Sequence, residues 1–461
     1  MSDAGTSTTA GSPPRPARIA PMPKGLPILG HLVDIGLDPF TAFEKWSAEY
    51  GDIVRLKLGN WPTLLVSGSD LIEQVLVKQH ENFTKHRFFW RHVTLAAGTG
   101  LFTSEGALWQ RQRKLAAPAF AGSRLTSYDT AMTEITERML EDWPDGEVID
   151  LLPQMMGLGI RIAARTMFSA ELEADVKVID DAMNDILSEI TRRYSRLFLI
   201  PDAVPLPGHI RYRKAVATIE NIVTRIIAER QGGTDDRGDL ISMLLAARDE
   251  QGQPMTPRQL RDEVLTMLIA GYETSAVTMC WGLHALSQRP DLQDAIAAEV
   301  REIVGDGPIR HENLAQMKVT ENVVIETLRL YPAAWAFGRE AKADCRIGDY
   351  DVPAGTTVYI SSWAIHRNPA YYEDPLAFKP ERWTSELRKS LPRFGYLPFG
   401  GGPRICIGNR FAMMEAMLLI GTICRRFRLE AHGPKSLKPR PTLTLRPAGQ
   451  VLAGVSRRET A

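Results

Sequence analysis

One stretch limits the choice of fold more than any other: a helical run of about 30 residues that carries its own start and stop signals. Thr256-Pro257-Arg258-Gln259 sets a hydroxyl at the cap, proline in the first turn and glutamine three residues after the cap. Helical composition continues to Gln288, where Arg289-Pro290 ends it, because proline disfavours helix in the residue before it. At the usual rise the helix is roughly 45 Å long. A rod of that length crosses a whole globular molecule and has to be covered by other helices. The chain supplies them. Helical patterns cover Pro39–Tyr50, residues 69–79, 106–117, 291–304 and 319–330, and a mostly amphipathic third spans 127–230, broken by a proline-rich loop at 200–208. A small polar run at 231–238 follows it. Ile53–Leu58 alternates like a strand and 63–67 reads as its partner across Gly59-Asn60, while 345–358 holds short strands and turns. Residues 87–102 follow neither period, contain Gly98 and Gly100, and are expected to form a long loop. The expected class is mainly α with small β-sheets.

With 461 residues, 44% of them hydrophobic, the chain can bury a large core. No internal repeat and no Gly/Ser linker divides it after Gly30, so residues 24–461 are expected to form a single domain. Residues 1–23 are expected to be a disordered tail, rich at first in Ser, Thr, Ala, Gly and Pro. Lys plus Arg is 55 and Asp plus Glu is 55, so no global field draws the protein to nucleic acid or an anionic membrane. No apolar run reaches the roughly 18 residues of a membrane span, and no basic-then-apolar leader opens the chain. The four cysteines are too sparse for a disulfide framework, which makes a reducing cytoplasm the expected compartment.

One of those cysteines sits in a glycine-rich bend, Phe399-Gly400-Gly401-Gly402-Pro403-Arg404-Ile405-Cys406-Ile407-Gly408, followed by a helical run at 409–424. A thiol near the free N–H groups and positive end of a helix is expected to favour the thiolate, the form that binds metal. With one cysteine in the bend there is no Cys-x-x-Cys zinc spacing. A single thiolate on an open face suits haem iron, and the alternative is a cysteine buried as a small hydrophobe. The nine histidines show no metal spacing either.

The bend resembles the haem-binding loop of the cytochrome P-450 family, Phe-x-x-Gly-x-Arg-x-Cys-x-Gly, at every fixed position: Phe399, Gly402, Arg404, Cys406 and Gly408. The resemblance runs from about Lys24 to the C-terminus and implies the cytochrome P-450 fold, haem b (iron protoporphyrin IX) as cofactor and Cys406 as the ligand of its iron. Phe399 would pack beside the thiolate. Ala270-Gly271-Tyr272-Glu273-Thr274, mid-way along the long helix, resembles the family's oxygen-activating motif. There glycine lets the helix bulge, Thr274 donates a hydrogen bond where oxygen is activated, and Glu273 relays protons, a positioned acid–base task. Without the resemblance, Thr274 simply bonds back to a carbonyl one turn earlier and Glu273 is exposed. Glu326-x-x-Arg329 resembles the family's Glu-x-x-Arg, which implies a buried network completed by Arg382 of Pro380-Glu381-Arg382-Trp383, where the family usually carries Phe at the last place. Outside the family such a pair is an ordinary surface ion pair. Trp109-x-x-x-Arg113, Arg339 and Arg404 match the family's contacts to the haem propionates. His366-Arg367-Asn368-Pro369 also resembles a recurring family segment and is read as fold rather than chemistry.

A helix-lined apolar cavity suits a sizeable apolar substrate of terpenoid, fatty acid or polyketide type. Its candidate walls are Phe88, Phe89 and Trp90, residues 197–204, Leu268 and Ile269, and Trp335 to Phe337. The sequence holds no flavin or nicotinamide domain and no four-cysteine iron–sulfur pattern, so electrons are expected from an external ferredoxin or flavodoxin with its reductase. Arg111, Lys114, Arg410, Arg425 and Arg426 could form a basic dock for it, or be ordinary solvated charges. The leading expectation is a monooxygenase consuming O2. Its rivals are an isomerase or dehydratase on the same fold, and a non-enzymatic haem sensor or apolar-ligand carrier. Isomerase-type relatives tend to lose the carboxylate–hydroxyl pair that Glu273 and Thr274 keep.

Overall fold

Two helices, α1 (Leu32–Leu37) and α2 (Pro39–Tyr50), lead into a hairpin of β1 (Ile53–Leu58) and β2 (Trp61–Val66). Asp38 caps α2 by accepting from the Phe40 and Thr41 amides, with Pro39 in the first turn. Gly59 turns the hairpin with φ of +61°, a conformation glycine adopts without a Cβ clash. The structure is a computed structural model that describes residues 18–169, 174–194, 200–201, 204–231 and 239–459; the side chains of residues 87–89 and 123 lie outside the description. Within the expected tail, the Arg18 amide bonds the Asp349 carbonyl at the turn of a later hairpin, the Arg55 amide on β1 bonds the Pro21 carbonyl, and Ala20 is buried, while Ile19 and Met22 stay exposed.

The run expected at 69–79 is α3 (Ser69–Glu73) continued by a π turn, Gln74–Lys78. After β3 (Phe83–Lys85) comes the first correction: the expected loop is largely a helix, α4 (Arg87–Ala97). Val93, Ala96 and Ala97 are buried there, but Leu95 is 47% exposed, and that apolar residue on the wet face hides the period. Gly98, with φ of +65°, ends the helix. Next are α5 (Gly106–Ala116) and a 3-10 turn that contains Pro118. The helical middle third holds α6 (Gly122–Glu141), a short β4 (Glu147–Asp150) that the sequence did not announce, α7 (Leu151–Phe168), α8 (Val176–Tyr194), α9 (Pro207–Gln231) and α10 (Leu240–Ala246). Residues 202–203 of the 200–208 loop and 232–238 of the polar run lie outside the described residues.

The long helix is α11 (Pro257–Ser287). Its capping box forms as read: the Gln259 amide donates to Thr256 Oγ1 at 3.2 Å and the Thr256 amide to Gln259 Oε1 at 3.0 Å. α7 lies so close against it that a Cβ on Gly159 would come within 2.8 Å of the Tyr272 carbonyl oxygen. Here glycine is required by backbone approach. Then follow α12 (Pro290–Val304), α13 (Lys318–Leu330), β5 (Phe337–Ala341), β6 (Cys345–Ile347), β7 (Tyr350–Val352), β8 (Thr357–Ile360), α14 (Ser362–Ile365), α15 (Ser385–Ser390) and α16 (Asn409–Arg426). The chain closes with β9 (Phe427–Ala431), β10 (Pro439–Pro441), β11 (Leu445–Pro447) and β12 (Leu452–Arg457).

The main sheet has the order β1-β2-β8-β5-β3, with β2 and β8 parallel and the other pairs antiparallel. The others are β4-β12-β9, the β10–β11 hairpin and the β6–β7 hairpin. The largest core cluster runs through α5 to α13 and α16, with Met132, Ile160, Val264, Leu283 and Leu418 at its centre. Among the described residues no helix is long and apolar enough to cross a membrane.

Candidate haem-thiolate site

The Cys406 bend is shaped by contacts that demand glycine. Gly402 has φ of +68°, and a Cβ there would lie 1.9 Å from the Leu76 carbonyl oxygen on the π turn. The Cys406 amide donates to the Phe399 carbonyl at 3.0 Å, and α16 starts three residues on. The Cys406 side chain is exposed on one face while protein crowds round the others. Burial pushes the thiol up; the Gly408 N–H and the Arg113 guanidinium pull it down without overcoming that burial. Arg113 reaches the same bend through a 3.0 Å bond from Nη1 to the Ile405 carbonyl.

Beside it lies a group of cations. Arg404 stacks 4.2 Å above the Trp109 ring, donates to the Ser104 carbonyl at 3.1 Å and pairs with Glu105. Arg339 and Lys85 are direct cross-strand partners on β5 and β3. Arg339 is buried and Lys85 half-buried; both are pulled down chiefly by burial, Arg339 to about 10, with Arg404 adding repulsion and Glu105 relief. Three cations thus share one carboxylate, an arrangement that costs stability unless further anions approach. Lys85 and Glu105 went unnoticed in the sequence: each lies in a short element with no spacing signal.

Along buried α11, Ala270, Gly271, Thr274 and Ser275 are half-exposed, whereas Leu268, Ile269, Tyr272, Glu273 and Ala276 are buried. Positions i, i+1, i+4 and i+5 form one helix face, so that face borders an opening. The Thr274 hydroxyl donates to the Ala270 carbonyl at 2.7 Å, and the helix continues through Gly271 without a break. No bulge is formed at Gly271 in the described helix; a threonine bonded back to the carbonyl four residues earlier bends a helix slightly rather than regularising it. Glu273 turns away from the open face. Its Oε1 accepts from Thr444 Oγ1 at 2.7 Å and Arg446 Nε at 2.8 Å, and Arg446 Nη1 reaches Asn184 on α8 at 2.6 Å. Arg446, more than 170 residues away in sequence, carried no signal. Nor did Glu415 on α16, fully enclosed, which accepts from the Ser275 hydroxyl and is pushed up to about 7 by burial.

The Glu326 network is present and fully buried. Arg329 donates to both Glu326 oxygens at 2.8 Å, Arg382 adds a bond at 3.1 Å, and the Lys379 amide another at 2.8 Å. Trp383, where the family usually has Phe, contributes its indole N–H at 2.9 Å, a bond phenylalanine cannot make. His366 connects this network to the cysteine bend: Nδ1 meets the Arg329 carbonyl at 3.1 Å and Nε2 accepts the Leu397 amide at 2.9 Å.

Of the candidate substrate walls, Trp90 packs edge-on against Phe102 at 4.6 Å, Ile269 is buried on α11, and Phe337 lies under the Arg339 guanidinium at 5.2 Å. The structure moves Trp335 elsewhere. It joins a separate aromatic cluster, 5.1 Å from Phe40, and donates to the Thr442 carbonyl. The side chains of Phe88 and Phe89 lie outside the described residues. Within the basic dock Arg111 pairs with Asp249, Lys114 with Glu250 and Arg425 with Glu137; among the described residues Arg410 and Arg426 are its exposed members without an ion pair. Nearby acids neutralise the other three. Phe399 packs at the edge of the main core. No group of three His, Cys, Asp or Glu side chains able to hold a metal ion occurs among the described residues.

The model of the family Cytochrome P-450 matches residues 20–452. Cyclooctat-9-en-7-ol 5-monooxygenase of Streptomyces melanosporofaciens is 34% identical, over 93% of this chain and 94% of its own length. Cyclooctatin synthase of the same organism is 33% identical, over 92% of each chain. Pentalenene oxygenase of Streptomyces avermitilis is 30% identical, over 90% of this chain and 92% of its own. A lone cysteine in a glycine-shaped bend, a long capped helix with an open Ala-Gly-x-Glu-Thr face and a match across nearly the whole sequence lead to one assignment: the chain belongs to the cytochrome P-450 family, as a monooxygenase of the haem-thiolate type.

Proposed function

We propose that the protein binds haem b through Cys406 and oxidises a sizeable apolar molecule of terpenoid type. The observation that carries the reading is one accessible thiol beside a gathering of basic side chains. Lys85, Arg339 and Arg404 crowd round the single Glu105 carboxylate, and haem would bring two propionates. The donor set fits that cofactor: a sulfur ligand on one side and Trp109, Arg113, Arg339, Arg404 and Lys85 for the carboxylates. Cys406 would hold the iron, whose positive charge would favour the thiolate against the effect of burial. When bound, haem iron supplies the activation of O2.

The chain's own residues do the rest. The open face of Ala270, Gly271 and Thr274 gives oxygen a place beside α11, with the Thr274 hydroxyl as donor once it leaves the Ala270 carbonyl. Glu273 is held ready behind it by Thr444 and Arg446 and moves protons from the α8 side. The Glu326–Arg329–Arg382 network, through His366, fixes the bend that presents the sulfur. Trp90, Ile269 and Phe337 supply apolar wall. The terpenoid class is supported by the names of the cyclooctatin and pentalenene relatives. Electrons come from a separate ferredoxin or flavodoxin with its reductase. Free cysteines in every described position fit a reducing cytoplasm.

The test is a reduced carbon monoxide spectrum followed by turnover. Wild-type protein should show the red-shifted Soret band of thiolate ligation and lose it in Cys406→Ser. With a surrogate ferredoxin and reductase it should hydroxylate cyclic sesquiterpenes or diterpenes. A protein that takes up haem but keeps an unshifted band refutes the ligand assignment; a true thiolate spectrum with no terpene spin-state shift refutes the substrate class.

A further inference from the structure

The loop joining α4 to α5 lies against most of the parts described above. Its backbone is bonded directly to α11: the Thr99 amide donates to Asp262 Oδ2 at 2.8 Å and the Leu101 amide to Glu263 Oε2 at 3.0 Å. Alternate amides of the loop thus meet successive carboxylates of the helix, both buried. From α5, Gln112 Nε2 takes the Thr99 carbonyl at 2.9 Å. The fit is tight enough to require glycine: a Cβ on Gly98 would lie 2.3 Å from the Asp262 carboxylate, and one on Gly100 would lie 2.1 Å from Thr266 Oγ1. Two residues further on, Phe102 packs edge-on against Trp90 at 4.6 Å, and its carbonyl accepts from Lys85. The Ser104 carbonyl takes Arg404 at 3.1 Å. The loop therefore connects α11, the cation group and the Trp90 wall.

The seam is also made to part. Glu263 Oε1, Thr266 Oγ1 and Gln112 Oε1 are buried there and have no hydrogen-bond partner. Such atoms are unfavourable while the seam is shut and gain water when it opens. Two bonds close the seam, one to Asp262, which Arg261 also pairs at 2.6 Å, and one to Glu263, whose carboxyl burial pushes up to about 7; three unsatisfied atoms favour opening, a balance suited to a movable wall rather than a permanent one.

We propose that Asp262 and Glu263 are positioning residues for ligand access: they staple residues 99–101 onto α11 and so fix the Trp90–Phe102 wall, which sets the fit of bulky ligands without affecting small ones. The Trp90 wall rests on the proposed function, but the staple itself does not, and two readouts keep them apart. The first is amide hydrogen exchange of the haem-loaded protein. Glu263→Gln and Asp262→Asn keep an acceptor but remove its charge, and should speed exchange at Leu101 and Thr99 at least tenfold over wild type. The second is spectral titration with 4-phenylimidazole as the bulky probe and cyanide as the small one. Phenylimidazole should bind several-fold more weakly in both variants, with cyanide and haem content unchanged, and Glu263→Ala should exceed Glu263→Gln. Unchanged exchange overturns the staple. Faster exchange with unaltered phenylimidazole affinity, or equal loss for both probes, overturns its role in access and leaves haem ligation standing. Should Glu263→Gln fail to load haem, Asp262→Asn carries the same comparison, because it leaves the deeper carboxylate in place.

Discussion

Glu273 and Glu415 sit on either side of Thr274 and are treated differently by their surroundings. Glu273 receives a guanidinium and a hydroxyl; Glu415 receives only the Ser275 hydroxyl, and burial pushes it up to about 7 from its ordinary 4.5. The sign of the resulting pH dependence follows. Below pH 4.5 the Glu415 carboxyl is protonated in both the folded and the unfolded chain. From there to about 7 the unfolded chain gives up the proton and the folded chain keeps it, so rising pH removes stability, about 3 kcal/mol across the window. Glu415→Gln cannot titrate, and denaturant melts of the two proteins at pH 4.5 and 7.5 should diverge by that order, wild type losing ground. Thr274→Ala should leave haem content as it is and divert reductant to hydrogen peroxide. Measured peroxide equal to wild type, with product undiminished, removes Thr274 from proton delivery. Thr274 and Glu273 could be picked out from the sequence because the motif is contiguous. Arg446, Thr444 and Glu415 could not, since each reaches α11 from a distant part of the chain.

Among the elements, the one that holds the cysteine bend is a knot of α13, the Pro380–Arg382 turn and the loop around His366, closed on a single carboxylate. Glu326 there accepts five bonds, from Arg329 twice, Arg382, Trp383 and the Lys379 amide. Removing it strands two buried guanidinium groups, which costs about 3–5 kcal/mol. Glu326→Ala should accordingly give aggregated, haem-free protein. Trp383→Phe is the finer probe: it keeps the ring and loses one bond to a charged acceptor, so a loss of about 1–3 kcal/mol is expected in equilibrium unfolding with haem retained. Much at this scale was legible beforehand. The capping box of α11 forms at Thr256, and Arg382 joins Glu326 as the resemblance implied. What escaped notice was of two kinds. α4 was hidden by exposed Leu95, β4 at four residues was too short for its alternation to stand out, and β9 and β12 pair with each other and with β4 without a turn signal of the kind that marks the first hairpin.

For the whole molecule, the balance of charge is resolved by pairing at close range. Arg111, Lys114 and Arg425 each find an acid, so under the proposed reading it is Arg410 and Arg426 that would attract a reductase protein. Reversing both to Glu should slow first-electron transfer from an acidic ferredoxin several-fold at low salt and shrink its salt dependence. Lys114→Ala, which breaks an exposed pair, should change little. Stopped-flow reduction across an ionic-strength series separates the two.

The main sheet sets a further condition on how the chain reaches its folded state. β2, near residue 63, lies parallel to β8, near residue 357, and β3 pairs with β5 across a similar span. Contacts that distant give up a great deal of loop-closure entropy before any bond repays it, and long-range pairing is intrinsically slow. During synthesis the first hairpin has to wait, with the edge of β2 bare, until most of the polypeptide has been made. The cation pair Lys85 and Arg339 therefore meets only at the end of assembly, which makes arrival of an anionic partner a late closing event for the whole protein.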